Sequence, residues 1–395
     1  MAGIYIHIPF CTKKCIYCNF YSIASTKRIE EYVEAIFKEV QNSQFSILNS
    51  QFSILNSQFS ILNSQFSILN SQFNTIYFGG GTPTLLTINC LEKILTTVYE
   101  NFNIANEVEC TIEGNPEQLS FDYLKDLKKI GFNRISIGIQ SFNNEILHFL
   151  GRIHTGRDAI FVIENAQKAG FENISIDLIY GIHLRLLQDW AKELKTVFQL
   201  PVKHLSAYSL TVEENTLLHK KISQQIMQNI DEEQAIREMK LLMEEAEKAD
   251  FEHYEVSNFA LKDYHSKHNS NYWNGTPYLG FGASAHSFTG NSRSWNVSNV
   301  EKYIHTIEKN EPCCEVEYLT PTEQFNEYVL LRLRTKTGIN LKHLEDCFGV
   351  EKRDYLLKSL QKINPQYYNI KNQQISITKE GLLLLDFITE KLIFD

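Results

Sequence analysis

The chain has 395 residues, of which 43% are hydrophobic, enough for one large domain and a second, small one. Its net charge is −9 without any basic block, which argues against a nucleic-acid partner. It has no signal-peptide pattern and no apolar run of 18 residues, and its eight cysteines lack regular pairing, so we expect a cytoplasmic protein without an intrinsic membrane anchor.

Short β-rich runs alternate with helical patterns from residue 3 to about residue 260. The predicted strands are Gly3–Ile8, Thr75–Phe78, Glu107–Glu113, Arg134–Ile139, Asn173–Tyr180 and His204–Leu210. The predicted helices are Ile29–Val40, Asn89–Phe102, Phe121–Ile130, Asp158–Ala169, Trp190–Phe198 and Asp231–Ala249. Repeated β–α units predict a parallel sheet with helices outside it, and reactive groups gather at the carboxyl ends of such strands.

A short loop after the first strand carries three cysteines, Cys11, Cys15 and Cys18, in a CxxxCxxC spacing. Three thiolates can hold three irons of a [4Fe–4S] cluster and leave the fourth iron free to bind and reduce a ligand. The alternative is a structural zinc site, but that normally closes with four ligands. His7 could be the fourth ligand, yet strand alternation puts it on the face of Tyr5, where a buried strand histidine is the simpler interpretation.

The run HIPFCTKKCIYCNF, residues 7–20, resembles the opening of the radical S-adenosylmethionine (SAM) superfamily. Within it, the run is similar to the group of oxygen-independent coproporphyrinogen III dehydrogenase and the HemW-type haem chaperones. The resemblance implies an α/β fold: a partial (β/α)6, TIM-like barrel over residues 1–260, a connecting region over 261–320, and a small α+β winged-helix-like domain over 321–395. It also implies a [4Fe–4S] cluster on the three cysteines and SAM as a cofactor. Tyr5 and Tyr17 would then flank the cluster and shield it or contact SAM.

Residues 44–71 read QFSILNS four times without a change, and residues 44–73 are predicted as an insertion between the first helix and the second strand. The heptad period suits a coiled coil, with Phe and Leu at a/d-like positions. The lack of charges and the poor helix propensity favour a β-prone, uncharged loop instead. We expect this repeat to be remote from the chemistry.

Three glycines and a threonine follow the second strand in Phe78-Gly-Gly80-Gly81-Thr82. Successive glycines let the backbone approach a ligand closely, and Thr82 adds a hydroxyl. By the resemblance, this loop, with Gly80, Gly81 and Thr82, contacts the amino group of the methionine part of SAM.

Four more polar residues lie at or just beyond strand ends: Glu113, Gln140, Arg152 and Asp177. Alone, Glu113 would be interpreted as a solvated strand end, but the resemblance implies that all four line the SAM site. Carboxylates can hold ribose hydroxyls or an ammonium group, and an arginine can bind a carboxylate. One departure follows Gly181, where Ile-His replaces the family's Leu-Pro, so the conformation of this loop is an open question.

The run His268-Asn-Ser-Asn-Tyr272-Trp273 resembles an HNxxYW element of HemW-type proteins, in which the histidine is a candidate haem ligand. Imidazole is the commonest axial ligand, and the aromatic rings can stack on a porphyrin. The alternative is a structural histidine bonded to backbone in a tight loop, with Trp273 in the core. The sequence leaves both interpretations open.

The pattern changes after Pro321. Helices are predicted at Phe325–Leu333, Leu341–Phe348, Arg353–Lys362 and Gly381–Leu392, with a hairpin of Tyr367–Lys371 and Gln374–Thr378. This order suggests a winged-helix-like unit, but it lacks the dense basic face of a DNA-binding domain. The resemblance implies instead that this domain covers the porphyrin side of the barrel opening.

Two functions fit the resemblance, and we set a generic redox or zinc module below both. One is a haem chaperone that passes haem to acceptor proteins, among which the resemblance suggests membrane respiratory enzymes. The other is oxidative decarboxylation of coproporphyrinogen III in porphyrin biosynthesis. The dehydrogenase carries a fourth cysteine where this chain has Phe20, and a long segment before its first strand. Together with His268 in its HNxxYW element, these departures favour the chaperone.

Overall fold

The computed structural model describes residues 1–53, 68 and 71–394, with the backbone alone for residues 44–53. Residues 44–53, the start of the QFSILNS repeat, are helical, so the predicted loop is wrong there. Most of the remaining repeat lies outside the described residues, and the predictions made for it stay predictions. The first helix, predicted to end at Val40, continues to Ser53. In the described part of the chain, no helix combines the length and the apolar content that crossing a bilayer requires.

One large mixed sheet organises most of the molecule. Its strands are β1 (Ala2–Ile8), β2 (Phe73–Gly80), β3 (Ile104–Gly114), β4 (Arg134–Gln140), β5 (Asn173–Tyr180), β6 (His204–Ser209), β7 (Glu252–Glu255), β8 (Asn258–Ala260), β9 (Tyr278–Phe281), β10 (His286–Phe288), β11 (Ser292–Asn296) and β12 (Cys314–Tyr318). They lie in the order β12-β11-β10-β9-β1-β2-β3-β4-β5-β6-β8-β7, and β9 and β1 to β6 run parallel. The predicted α/β fold with a parallel sheet is confirmed, and the sheet is open.

Helices follow the parallel strands, and most of them cover one face of the sheet. They are α1 (Ile29–Ser53), α2 (Ile88–Asn101), α3 (Phe121–Lys129), α4 (Asn144–Leu150), α5 (Gly156–Lys168), α6 (Leu187–Gln199), α7 (Leu217–Ser223), α8 (Glu232–Lys248), α9 (Lys267–Trp273) and α10 (Val300–Glu308). The predicted barrel strands match β1 to β6 within three residues at each end. The seven-residue helices α4 and α7 were missed, because two turns are too short to show a helical period.

The strands carry apolar and polar side chains in strict alternation. On β1, Ile4, Ile6 and Ile8 are fully buried in the main core, whereas Tyr5 and His7 lie on the opposite, concave face. The same alternation gives a polar concave face on the next five strands, formed by Thr75, Tyr77, Glu109, Thr111, Glu113, Arg134, Ser136, Ser175, Asp177, His204 and Ser206. A parallel sheet covered on both faces is normally apolar on both. The polar face therefore marks the side on which ligands bind.

Residues 261–320, predicted as a connecting region, belong largely to the sheet. Strand β9 pairs in parallel with β1, and β10, β11 and β12 extend that edge as antiparallel neighbours. The sequence analysis missed these four strands. They are only three to five residues long, which is too short for an alternation of period two to identify a strand, and one of them, β9, contains a glycine.

The C-terminal residues form a second core of their own, which includes Phe325, Val329, Leu344 and Ile388. Its elements are α11 (Pro321–Leu333), β13 (Ile339–Asn340), α12 (Leu341–Leu360), β14 (Tyr368–Lys371), β15 (Gln374–Ile377), α13 (Lys379–Leu382) and α14 (Leu385–Leu392). The predicted hairpin is confirmed as β14 and β15, and β13 completes a three-stranded sheet. The backbone of α12 breaks at Gly349 (φ 84°), between the two helices predicted there.

The C-terminal unit contacts the open sheet near both of its edges. Glu327 of α11 pairs with Arg293 of β11 near one edge. At the other edge, the N–H of Val256 donates to the carbonyl of Arg334 over 3.0 Å, and that of Lys336 donates to Tyr254 over 2.9 Å. The unit therefore bridges the gap that the incomplete barrel leaves open.

Candidate cofactor site

The cysteine loop begins where β1 ends and closes on itself. The N–H of Ile23 donates to the carbonyl of Pro9 over 2.7 Å, and that of Cys11 donates to Ile23 over 2.9 Å. Inside the loop, the N–H of Cys18 donates to the carbonyl of Cys15 over 3.3 Å. These bonds hold the three half-exposed thiols on one short segment at the carboxyl end of β1.

A chain of polar side chains connects two of the cysteine sulfurs. Thr82 Oγ1 donates to Cys11 Sγ over 3.6 Å, and Asn115 Nδ2 donates to Thr82 Oγ1 over 3.1 Å. Arg152 Nη2 donates to Asn115 Oδ1 over 2.7 Å, and its Nη1 donates to Cys15 Sγ over 3.6 Å. Thr82 and Arg152 were predicted for this site. Asn115 was not predicted. It lies only two residues after Glu113, but an asparagine at that place does not by itself indicate a binding site.

The thiols fit iron ligation chemically. Burial raises the pKa of Cys11 and of Cys18, and the nearby Cys15 raises both further, so the thiolates need a cationic partner. Hydrogen-bond donors on the sulfurs are typical of iron–sulfur sites. Among the described residues, no three Cys, His, Asp or Glu side chains, the three thiols included, lie close enough together to hold a metal ion. Tyr17 lies beside Cys15, and its phenol stays neutral because burial first, and then Cys15, raise its pKa.

The glycine loop presses against the cysteine loop. The N–H of Gly81 donates to the carbonyl of Ile8 over 2.8 Å, and a Cβ on Gly81 would lie 2.6 Å from the carbonyl oxygen of Phe10. Gly80 has a φ of +109°, and a Cβ there would lie 2.6 Å from the ring of His7. Both positions therefore require glycine.

Glu113 lies beside the glycine loop. Tyr77 donates its hydroxyl to Glu113 Oε1 over 2.7 Å, and the N–H of Gly80 donates to Oε2 over 3.2 Å. Burial raises the pKa of Glu113 to about 7, and the repulsion from Asp177 contributes to the rise. The carboxylate is thus placed to receive a cationic group.

Gln140 and Asp177 lie on the next two strands. Gln140 ends β4 with a φ of +70°, after a shift in the pairing with β5. A Cβ on Gly138 would lie 3.1 Å from both Asn115 Oδ1 and Gln140 Nε2, so glycine leaves room for this group. Ser136 donates to Asp177 over 3.3 Å, and burial raises the pKa of Asp177 to about 6.

His268 lies deeper in the concave face than the cysteines. It is 1% exposed, and both ring nitrogens are bonded, Nδ1 to Thr75 Oγ1 at 2.8 Å and Nε2 to the hydroxyl of Tyr272 at 2.9 Å. The bonds are to side chains and the residue is on α9, so the tight loop of the alternative interpretation is absent at this described position. Thr75 lies four strand residues before Gly79, which places His268 about 13 Å below the cysteine loop.

Tyr5 lies between these two levels. Its hydroxyl bonds His7 Nδ1 at 3.0 Å, and its ring stacks with Tyr77 and His268, with centroids 6.1 and 6.3 Å away. The structure thus groups Tyr5 with the histidines, and Tyr17 with the cysteines. Both were predicted to flank the cluster.

The first turn of α9 is fixed by Glu109 of β3. The backbone N–H groups of Lys267 and His268 each donate to one of its carboxylate oxygens over 3.0 Å. Neither Glu109 nor Thr75 was singled out from the sequence. Alternation along β2 and β3 does place both on the concave face, but their partner is more than 150 residues away.

The loop after Gly181, which lacks the family's proline, is fixed by a glycine turn and by buried charges. Gly181 has a φ of +76°, and its N–H donates to Glu238 Oε2 over 2.6 Å. Arg185 Nη1 donates to the carbonyl of Ile179 over 2.9 Å, and the guanidinium lies 3.6 Å from both Glu193 and Glu238. A buried charge cluster therefore holds this loop.

Comparison with known proteins agrees with this architecture. The Radical SAM superfamily model matches residues 65–197, and the HemN C-terminal domain model matches residues 319–384. A heme chaperone HemW of Bacillus subtilis (strain 168) is 33% identical over 390 residues, which is 97% of each chain. A heme chaperone HemW of Lactococcus lactis subsp. lactis (strain IL1403) is 31% identical over 393 residues, 99% of this chain and 97% of that protein.

A solved structure gives the same fold at lower identity. The coproporphyrinogen III oxidase HemN of Escherichia coli superposes with a TM-score of 0.81 over 99% of this chain and 90% of that one, at 22% identity. The superposition shows that the two proteins share a fold, whereas the two proteins named heme chaperone HemW are more similar to this chain in sequence. The chain therefore belongs to the radical SAM superfamily and, within it, to the family of proteins named heme chaperone HemW.

Proposed function

We propose that the chain is a haem chaperone, which binds haem in the cytoplasm and delivers it to acceptor proteins. The observation that carries this proposal is the likeness over 97% of both chains to a protein named heme chaperone HemW. The acceptors would include membrane respiratory enzymes, as the resemblance in the sequence suggested.

The enzymatic alternative has weaker support. The solved oxidase shares the fold at 22% identity, which carries no activity across. Phe20 stands where the dehydrogenase has its fourth cysteine, and its side chain is 73% exposed beside the cysteine loop. An exposed phenyl ring cannot replace a thiol in redox or ligand chemistry.

Cys11, Cys15 and Cys18 would hold a [4Fe–4S] cluster, which supplies, when bound, an open iron and an electron for SAM. Arg152 and Thr82 donate hydrogen bonds to the sulfurs, which stabilises the thiolates. Gly80, Gly81, Thr82, Gln140, Arg152 and the carboxylates of Glu113 and Asp177 are the proposed SAM contacts. Glu113 and Asp177 suit a ligand that carries a sulfonium and an ammonium group.

His268 is the proposed haem ligand. Burial, followed by the charge of Arg134, lowers the pKa of His268 to about 3, so the ring is neutral at cellular pH. A neutral imidazole is the form that ligates iron. Ligation by Nε2 requires that Tyr272 release this nitrogen, whereas Thr75 can keep its bond to Nδ1 and orient the ring.

Replacement of one cysteine tests the cluster site. After anaerobic reconstitution, Cys15→Ser should lack most of the broad absorbance near 400 nm and bind no SAM, since one of three thiolate ligands is gone. Cys347→Ser, at an exposed cysteine of the C-terminal unit, is the matched control and should resemble the wild type. A full cluster in Cys15→Ser would contradict the assignment.

Parallel assays of the reconstituted protein separate the two functions. We expect stoichiometric haem binding, about tenfold weaker in His268→Ala, and no protoporphyrinogen from coproporphyrinogen III with SAM and a reductant. His286→Ala, on β10, is the matched control for a histidine outside the site. Decarboxylated product from the wild type would overturn the chaperone proposal.

A further inference from the structure

A row of buried polar atoms without partners crosses the floor of the concave face. Thr111, Arg134 and Asn173 are register neighbours on β3, β4 and β5. Thr111 Oγ1, Arg134 Nε and Nη1, and Asn173 Oδ1 are all buried and have no hydrogen-bond partner among the residues that the structure describes. We propose that this row, centred on Arg134, is a binding site for a carboxylate, namely a propionate group of the haem; this rests on the proposed haem-chaperone function.

Arg134 is a buried cation with no carboxylate in direct contact. Its side chain is 1% exposed, and within the described residues no carboxylate forms an ion pair with it. Its charge opposes the rise in the pKa of Glu113 and of Asp177, but neither carboxylate lies within ion-pair distance. An arginine keeps its charge at every accessible pH, and a buried charge without a partner is strongly unfavourable. A carboxylate ligand would supply both the missing charge and acceptors for its N–H groups.

The nearest carboxylates of the concave face are already committed. Glu109 accepts the two N–H groups at the start of α9, and Glu113 accepts the hydroxyl of Tyr77 and the N–H of Gly80. Asp177 accepts from Ser136. Their hydrogen bonds hold each in place, so Arg134 is left for a ligand from outside.

The position of His268 indicates which carboxylate this would be. Tyr77, Thr111 and Arg134 are register neighbours on β2, β3 and β4. Tyr77 stacks with the His268 ring, with centroids 4.8 Å apart, so Arg134 and His268 lie on the same part of the concave face. Tyr5 also stacks with that ring, so flat aromatic faces surround it. Haem joins a flat apolar ring, an iron for the imidazole, and carboxylates at one edge. The three features match the aromatic rings, His268 and Arg134.

Haem and its dimethyl ester test the assignment on the unmodified protein. The ester keeps the iron and the ring but has no propionate charge. We expect the wild type to bind the ester at least about tenfold more weakly in a Soret titration, because a buried charge-assisted contact is lost. Equal affinities for haem and ester would overturn the propionate site.

Variants then show which residues distinguish haem from its dimethyl ester. Arg134→Gln should bind haem and ester alike. Thr111→Val, which is nearly isosteric, should reduce the preference for haem severalfold and is the second variant in case Arg134→Gln does not fold. His268→Ala should alter the Soret band yet keep the preference, which separates the two contacts. If Arg134→Gln and Thr111→Val, the two floor variants, both still preferred haem to its ester, the propionate would bind elsewhere and the proposal would be overturned.

A free anion is the other possible occupant. Acetate and phosphate should be titrated against the melting temperature of the haem-free protein, with Arg134→Gln as control. An Arg134-dependent shift, with haem and ester bound alike, would assign the row to a free anion and overturn the propionate reading. Failure of the wild type to bind haem at all would overturn the proposed function itself, whereas discrimination lost only in the floor variants supports this inference.

Discussion

At the scale of single residues, the candidate cofactor site contains two buried carboxyl groups, Glu113 and Asp177, whose ionisation is unfavourable. Burial raises the pKa of Glu113 to about 7 and of Asp177 to about 6. Both values lie above those of the free side chains, so each group is easier to protonate than a carboxyl group in water. A cationic ligand reverses this preference. Binding of such a ligand and ionisation of Glu113 should therefore be coupled.

This coupling predicts that SAM binds more tightly at higher pH. Because a pKa of about 7 leaves Glu113 mostly protonated at pH 6 and mostly ionised at pH 8, affinity should rise roughly tenfold between them. The measurement is calorimetric titration of the reconstituted protein. Glu113→Gln should bind more weakly and show only the pH dependence of SAM's own amino group. Identical profiles for both proteins would contradict the coupling.

Among the elements, α9 is fixed by hydrogen bonds to its first turn, and both ring nitrogens of its His268 are hydrogen-bonded. Glu109 anchors its first turn, Thr75 holds Nδ1 of His268, and Tyr272 covers Nε2. A helix of seven residues is not stable by itself, so these contacts determine where it sits. Haem binding by His268 would then compete with the hydroxyl of Tyr272.

Tyr272→Phe should accordingly strengthen haem binding. The ring still packs edge-on against His268, but the bond that must be broken is absent, which favours binding by about 1 kcal/mol, or roughly fivefold. Tyr278→Phe is the matched control, because Tyr278 packs on Tyr272 and has no bond to His268. Affinity that falls in Tyr272→Phe would show that the hydroxyl assists the ligand and does not mask it.

For the whole molecule, the C-terminal unit and α9 form one assembly. Arg332 donates to Asn274 at the end of α9, and Arg334 lies over the ring of Trp273, 5.8 Å from its centroid. The unit also touches both edges of the open sheet through Glu327 and Val256. The unit therefore restrains the helix that carries the proposed haem ligand.

Arg332→Ala should loosen α9 without unfolding the protein. Loss of this contact should cost about 1 kcal/mol and increase the rate of backbone hydrogen exchange in residues 267–273 severalfold. Arg353→Ala is the control, since the ion pairs of Arg353 join residues within the C-terminal unit. Equal exchange in α9 for the two variants would show that the contact does not restrain the helix.

Local patterns predicted the central strands and most of the surrounding helices, together with the cysteine motif. The six strands were visible because short β-rich runs repeat between helical patterns, and in β1, β4 and β5 an isoleucine-rich alternation of period two marks the buried face. CxxxCxxC was visible because all three thiols lie within eight residues. The roles of Glu113, Gln140, Arg152 and Asp177 came from the resemblance, and the SAM contacts proposed for them remain predictions.

By itself, the sequence determined the α/β class, the parallel order of strands and helices, the winged hairpin and the presence of a thiol site. Tertiary structure alone decided that Asn115 joins Thr82 to Arg152, that β9–β12 extend the sheet, and that Thr75 holds His268. The physical reason is the range of the interactions. Periodicity reports which face a residue occupies, but contacts between residues nearly 200 positions apart depend on how the sheet curves and how the C-terminal unit closes it.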